Sequence, residues 1–311
     1  MPLFNVANDG LKPIPQSSFK SEKQLQQMIE ANLVAAFNSR FVASEFRTGA
    51  LHAGRIDTLA LSEDDNPVII EYKLVESSDL INQSLFYLHW LADHRGDFEM
   101  AARKKLGNNV EIDWSDIRVI CIAPNYKRYD LHAVQVMGAN IELWRYRLFA
   151  NSSLYLEEVY RQSLRASPDP AEPAKSPVIG KADKKAHPTP ITASYTLEQH
   201  FSGKPEKVCA LAHMVRDFVL SLDTAIQETP KKLYIAYKVG QNIVCMEIRK
   251  QRVTLFLKLD PKAVVKPPKN FRDVSEIGHY GTGDFELVLD SEQDAEAAFP
   301  FIEAAYKAIG G

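Results

Sequence analysis

The chain reads as an α/β domain, a mixed sheet flanked by helices, followed by a second, smaller α+β domain. Three features predict this. Two short apolar strands enclose a polar turn near residues 54–73, amphipathic helical patterns lie on either side of them, and a proline-rich break past residue 163 separates them from a second run of helices and strands. A length of 311 residues suits two domains, each large enough to bury a core. The expected divisions are an N-terminal extension over 1–20, a first domain over 21–163, a linker over 164–196 and a second domain over 197–311.

Ser21-Glu22-Lys23-Gln24 has the capping-box form, with serine at the N-cap and glutamine three residues on. A helix follows, its apolar stripe formed by Leu25, Met28, Ile29, Leu33, Ala36 and Phe37. At about 100° per residue Glu22 falls near the middle of that stripe and Glu30 a quarter-turn or more away. Glu22 is therefore expected to face the sheet and Glu30 the solvent. A favourable charge in the first turn of a helix is the other reading of Glu22.

Next come Gly54-Arg55-Ile56-Asp57-Thr58-Leu59-Ala60-Leu61, the polar stretch Ser62 to Asn66, and Pro67-Val68-Ile69-Ile70-Glu71-Tyr72-Lys73. With a loop over 62–66, Leu61 faces Pro67, Leu59 faces Ile69, Asp57 faces Glu71 and Arg55 faces Lys73. Side chains alternate along a strand, so 55, 57, 59, 69, 71 and 73 share one face. Ile56, Thr58, Ala60, Val68, Ile70 and Tyr72 take the other, which suits a buried layer. Opposed carboxylates raise each other's pKa unless a cation sits between them, and Mg²⁺, which takes oxygen ligands, fits that gap. A surface hairpin whose carboxylates are solvated by Arg55 and Lys73 is the alternative. The pattern acid-x-Lys recurs at Asp183/Lys185 and Asp260/Lys262, but only Glu71/Lys73 has an aspartate one hairpin upstream.

A second helix starts near Ser78-Asp79 and runs through Leu91, with Gln83 and Tyr87 one turn apart on a shared face. Residues 117–123 read as a buried strand, 128–137 as a helix, 141–149 as a strand and 154–160 as an edge strand. Trp144, Tyr146 and Phe149 alternate with charged residues, as on an ordinary sheet face.

The series Glu22, Gly54-Arg55-Ile56-Asp57, Glu71-Tyr72-Lys73, Gln83 and Tyr87 resembles the PD-(D/E)XK nuclease superfamily, and within it the nuclease domain of the NucS/EndoMS-type endonucleases. Asn66-Pro67-Val68-Ile69-Ile70-Glu71-Tyr72-Lys73 is similar to that group's strand, and the likeness covers residues 20 to 125. It implies a restriction-endonuclease-like fold and metal-assisted hydrolysis of phosphodiesters in DNA. By that resemblance Asp57 and Glu71 hold Mg²⁺ or Mn²⁺, and Glu22 binds a second ion or a metal-bound water. Lys73 orients or deprotonates the attacking water and offsets transition-state charge, and Gln83 positions water or phosphate. Arg55 and Tyr87 support substrate binding. No motif residue is missing. The domain order departs from the family, which carries its DNA-binding domain before the nuclease.

Composition sets further bounds. Three widely spaced cysteines, Cys121, Cys209 and Cys245, make neither a disulfide framework nor a cysteine-rich zinc site, which points to a reducing, cytoplasmic setting. Met1 to Gly10 has no signal-peptide form, and no apolar run approaches the roughly 18 residues that would suggest a membrane span. The eight histidines lack ligand spacing, and His89 and His213 read as ordinary helix residues. A net charge of −3 is unlike most nucleic-acid binders. A local patch of Arg95, Arg103, Lys104, Lys105, Arg118, Lys127 and Arg128 would serve instead, with a solvated helix face as the plain alternative.

The second domain opens with a helix around Pro205 to Glu228, its apolar face formed by Val208, Leu211, Ala212, Val215, Val219 and Leu222. Strands at 233–239, 242–248, 253–259 and 285–289 follow, then a helix over 292–308. The layout, and the segment Gly278-His279-Tyr280-Gly281-Thr282-Gly283-Asp284, resemble a C-terminal domain of unknown function that recurs behind such nuclease domains. Its glycines suit a tight loop. This domain is expected to bind a protein partner, a second copy of itself or substrate. Two function classes stay open: an endonuclease of DNA repair or defence, dimeric if it cuts both strands, and a non-catalytic scaffold that keeps the nuclease fold.

Overall fold

Continuous apolar strands mark a sheet covered on both faces. The computed structural model describes residues 2–7, 10–49, 54–137, 140–161, 195–279 and 281–309. The expected linker lies outside these apart from its last two residues, and Tyr280 also falls outside.

The first domain is built on a seven-stranded mixed sheet in the order β3-β8-β7-β6-β5-β4, with β9 also pairing β8. The strands are β3 (Gln16–Ser17), β4 (Ser39–Arg47), β5 (Arg55–Ser62), β6 (Pro67–Tyr72), β7 (Arg118–Ala123), β8 (Ile141–Phe149) and β9 (Leu154–Arg161). Residues expected as an N-terminal extension form a hairpin, β1 (Leu3–Ala7) with β2 (Gly10–Ile14), and then β3, which pairs Leu148 and Phe149 of β8. β4, β5 and β6 run antiparallel, whereas β6, β7 and β8 run parallel. Parallel neighbours need long crossovers. Two helices, Asp79–Asp93 and Arg95–Leu106, join β6 to β7, and a third, Arg128–Met137, joins β7 to β8.

One sheet face packs on α1 (Glu22–Glu30) and α2 (Leu33–Phe37) through Leu25, Ile29, Leu33 and Phe37 against Ala60, Val68, Ile70 and Tyr72. The other carries Leu59, Leu61 and Ile69 against α3 (Asp79–Asp93), α4 (Arg95–Leu106) and α5 (Arg128–Met137). The hairpin is therefore buried on both sides. Ile56 departs from the expected alternation and packs with Leu59 and Leu61. The helix expected to run from residue 22 to 37 breaks after Glu30, and Met28 is exposed.

Arg118 is a second departure. It is not part of a surface patch but is buried against Glu142, whose Oε2 accepts from Arg118 Nη2 at 2.9 Å and Arg161 Nη2 at 2.9 Å. Burial pushes the Glu142 carboxyl up, but the two guanidiniums outweigh it and bring it down to about 2. Arg103 instead pairs with Glu99, and Lys105 lies over the Phe41 ring.

The second domain is an antiparallel six-stranded sheet in the order β10-β11-β12-β13-β15-β14. Its strands are β10 (Gln227–Pro230), β11 (Ile235–Val239), β12 (Gln241–Ile248), β13 (Val253–Leu257), β14 (Phe271–Asp273) and β15 (Phe285–Leu289). After a short α6 (Leu197–Phe201), α7 (Glu206–Leu222) and α8 (Glu292–Ala308) cover one face. Of the expected apolar face of α7, Val208, Leu211, Ala212, Val215 and Val219 are buried and Leu222 is half-buried; the helix stops at Leu222, ahead of β10 at Gln227. Among the described residues no helix is long and apolar enough to cross a membrane.

Because Glu142 is held below its free value, its stabilisation is complete above about 4.5 and is lost as pH falls toward about 2. Glu142→Gln is expected to cost about 3–5 kcal/mol at pH 7, since it leaves the buried Arg118 guanidinium without its carboxylate and Arg161 with Glu158 alone. Urea midpoints at pH 7 and pH 3 check this, with a smaller wild-type-to-variant gap at the lower pH.

Candidate active site

The hairpin keeps the expected register, with Leu61 opposite Pro67, Leu59 opposite Ile69 and Thr58 opposite Ile70. Beyond that pair the backbone ladder gives way to side chains. Asp57 N–H donates to Glu71 Oε1 at 3.0 Å, and Tyr72 N–H donates to Asp57 Oδ2 at 3.2 Å. Each carboxylate thus replaces a ladder bond, and the strand ends are held by the acids themselves. Asp57 Oδ1 and Glu71 Oε2 are left without a hydrogen-bond donor among the described residues.

Their electrostatics follow from burial. Glu71 is only 2 % exposed. Desolvation first, and the Asp57 charge second, push its carboxyl well above the usual range, against the Asp57 N–H bond and Lys73. Asp57 is raised as well, chiefly by burial, with the Tyr72 N–H and Lys73 opposing. Lys73 offsets this burial only in part, and neither carboxylate forms an ion pair among the described residues. Among the described residues no three His, Cys, Asp or Glu side chains form a ready-made metal cage. The donor set is two carboxylates, which suits Mg²⁺ because that ion keeps waters and substrate oxygens in its remaining positions.

Glu22 opens α1 behind its Ser21 cap, whose hydroxyl accepts from Gln24 N–H at 3.2 Å. It faces the sheet as expected: Oε2 accepts from Leu74 N–H at 3.2 Å and Oε1 lies 3.6 Å from Lys73 Nζ. Lys73 is anchored by its own N–H to the Ile122 carbonyl at 2.9 Å. Glu30, expected in solvent, turns inward and accepts from Thr58 Oγ1 at 2.7 Å and Gln26 Nε2 at 2.9 Å. The polar groups on the covered strand give it partners that a helical wheel does not contain.

Tyr87 is buried, and its hydroxyl accepts from Arg55 N–H at 3.3 Å, so it is engaged in holding β5. Gly54 permits this approach. A Cβ there would sit 2.8 Å from Tyr87 Cε1 and 2.9 Å from Thr48 Oγ1. Arg55 itself is exposed and pairs with Glu45 at 2.6 Å. Gln83 is exposed one turn before Tyr87 and makes no hydrogen bond among the described residues. The fold thus gathers Glu22, Asp57, Glu71 and Lys73, sets Arg55 and Tyr87 beside them, and leaves Gln83 outside that network.

A cleft of about 620 Å³ opens here, lined by Glu22, Asp57, Arg55 and Tyr72 together with Lys23, Gln26, Glu45 and Arg47. The last four escaped the sequence reading. Gln26 is buried and donates to the Asp57 carbonyl at 2.7 Å and to Ser44 Oγ at 3.1 Å. Its signal was available: a glutamine one turn past Glu22, beside the apolar stripe. Glu45 adopts φ 54 and pairs with Lys23 as well as Arg55, an arrangement no spacing rule announces.

Comparison with known proteins adds the following. A family model described as Domain of unknown function (DUF5655) matches residues 197–309. An uncharacterised protein of Haemophilus influenzae (strain ATCC 51907 / DSM 11121 / KW20 / Rd) is 28% identical over 316 residues, covering 99% of this chain and 100% of its own length. Among solved structures, an EndoMS complex with double-stranded DNA is 17% identical, with 42% of this chain and 46% of that one covered at a TM-score of 0.25. A repair endonuclease from Pyrococcus abyssi is 18% identical, with 42% and 48% covered at a TM-score of 0.23. The chain spans less than half the length of either solved structure.

A carboxyl raised in the fold favours its neutral form, so its contribution to stability is present below the unfolded value and lost as pH rises through the folded one. Metal-free Glu71→Gln and Asp57→Asn proteins are therefore expected to melt about 2–4 °C above wild type at pH 8 for each 1 kcal/mol relieved. Lower melting temperatures by calorimetry would contradict this strain.

Proposed function

We propose that this chain is a metal-dependent endonuclease that hydrolyses phosphodiester bonds in DNA. The observation that carries the reading is the pair Asp57 and Glu71, cross-linked through backbone N–H groups at the splayed end of a hairpin, with Asp57 lining a cleft that Lys23, Arg47 and Arg55 share with Glu22 and Glu45. The second observation is Lys73, two residues past Glu71 and 3.6 Å from Glu22.

A divalent cation, Mg²⁺ or Mn²⁺, held by Asp57 and Glu71 would supply Lewis-acid activation of water and charge neutralisation at the phosphate. The chain's own residues do the rest. Lys73, held by Glu22, orients the attacking water and offsets the negative charge that builds on the phosphate oxygens as water oxygen bonds to phosphorus and the bridging P–O bond breaks. Arg47, Arg55 and Lys23 contact flanking backbone phosphates. Such contacts fix position without reading sequence, so a local cluster suffices in a chain whose net charge is −3. Gln83 contributes an exposed amide for substrate contact, and Tyr87 holds β5 in place through the Arg55 N–H.

Labelled single-stranded, duplex, mismatched and branched DNA, with RNA beside them, are to be incubated with Mg²⁺, Mn²⁺ or EDTA. Wild type is expected to cut DNA only with metal, and Lys73→Ala to be slower by about 100-fold or more. Equal products from both proteins would place the chemistry elsewhere, and no products from wild type on any substrate would reject the activity.

A further inference from the structure

The other end of the hairpin carries an unusual density of buried charge. Ser62 to Asn66 make a tight turn, with Asp65 in the left-handed region at φ 60 and Ser62 Oγ accepting from Asn66 N–H at 3.0 Å. Asp64 points out of the first domain into the second, where its side chain is 3% exposed. Tyr234 Oη and Asn242 Nδ2 donate to its Oδ1 at 2.7 and 2.8 Å, and the ammonium groups of Lys231 and Lys238 lie 3.4 and 3.6 Å from Oδ2. On either side, Lys231 Nζ donates to Asn66 Oδ1 at 2.8 Å, and Glu63 accepts from Asn242 N–H at 2.8 Å and Thr282 Oγ1 at 3.2 Å.

We propose that the C-terminal domain is a receptor for an acidic turn, and that its occupant is the turn at residues 62–66 of its own chain. This does not depend on the enzymatic reading.

The receptor's own residues argue for it. Alternation along β11 sends Ile235 and Tyr237 into the helix-covered core, and Tyr234, Ala236 and Lys238 to the opposite face. Lys231, Lys238 and Lys258 form no ion pair with a carboxylate of their own domain among the described residues. Lys231 and Lys238 pair with Asp64 alone, and Lys258 donates to the Gln241 amide oxygen. With the turn seated, the Lys231 and Lys238 side chains are only 7% and 18% exposed, and Asp64 supplies the counter-charge that this burial needs. The domain's glycine segment is shaped to the same end. Gly281 (φ +83) and Gly283 (φ +120) lie so close to Cys245 and the Leu257 carbonyl that a Cβ would come within 2.7 and 2.4 Å of them, which brings Thr282 down onto Glu63. The C-terminal domain thereby braces the hairpin whose far end carries Asp57 and Glu71.

A specific protease sequence placed between residues 170 and 190 allows the folded full-length chain to be cut and its halves followed by size exclusion over a dilution series. The wild-type halves are expected to co-elute at micromolar concentration, and Asp64→Asn to weaken their association by about 30-fold or more. Among the described residues every side-chain partner of Asp64 lies in the other domain, so this variant is expected to keep the first domain folded, which far-UV circular dichroism of the separated half checks. Lys238→Met tests the contact from the receptor side and is expected to weaken it in the same direction. Separation of the wild-type halves at micromolar concentration, or Asp64→Asn halves that hold as tightly as wild type, would overturn the proposal.

Discussion

Placing carboxylates inside a strand pair covered on both faces is the constraint from which the rest of the first domain follows. An isolated carboxylate in such a layer is costly, and Asp57 and Glu71 meet that cost only in part, each accepting one backbone N–H of the facing strand. The strands stay linked, yet among the described residues two carboxylate oxygens have no donor, and both groups are raised above their ordinary range. A cation bound there, as proposed above, would supply the charge that the fold withholds. Glu22, Gln26 and Tyr87 then read as supports: the first holds Lys73, the second the Asp57 carbonyl, the third the Arg55 N–H.

The same hairpin is charged at both ends for opposite reasons. At the splayed end the carboxylates form no ion pair among the described residues, and Lys73 offsets their burial only in part. At the turn, Asp64 is over-supplied, with two lysines, a tyrosine and an asparagine around one carboxylate. Burial pushes Asp64 up, but Lys231 and Lys238 outweigh it and hold the group well below the usual carboxylate range. One end is left open to a ligand, and the other is closed by the chain itself.

Local rules carried much of this. The hairpin register followed from the length of the polar turn, and the inward aim of Glu22 from its place on a helical stripe. The buried face of α7 and the span of α8 followed from periodicity. What escaped depends on contacts between distant segments. Glu30 turns inward because Thr58 waits on the covered strand, and Arg118 leaves the surface because Glu142 and Arg161 flank it on the next two strands of the sheet, β8 and β9. Glu45 joins the cleft with its backbone at φ 54 and its carboxylate between Lys23 and Arg55. The clasp around Asp64 joins residues more than 160 positions apart, so no window of sequence contains it.

The central claim is that Asp57 and Glu71 form a cation site, and its most direct test is calorimetric titration of Mn²⁺ into wild type and Glu71→Gln in two buffers of different ionisation enthalpy. The account predicts a site in wild type that releases protons on binding, because the raised carboxyls must ionise, and loss of that site in the variant. Absence of binding in wild type, or an isotherm unchanged by Glu71→Gln, would contradict it.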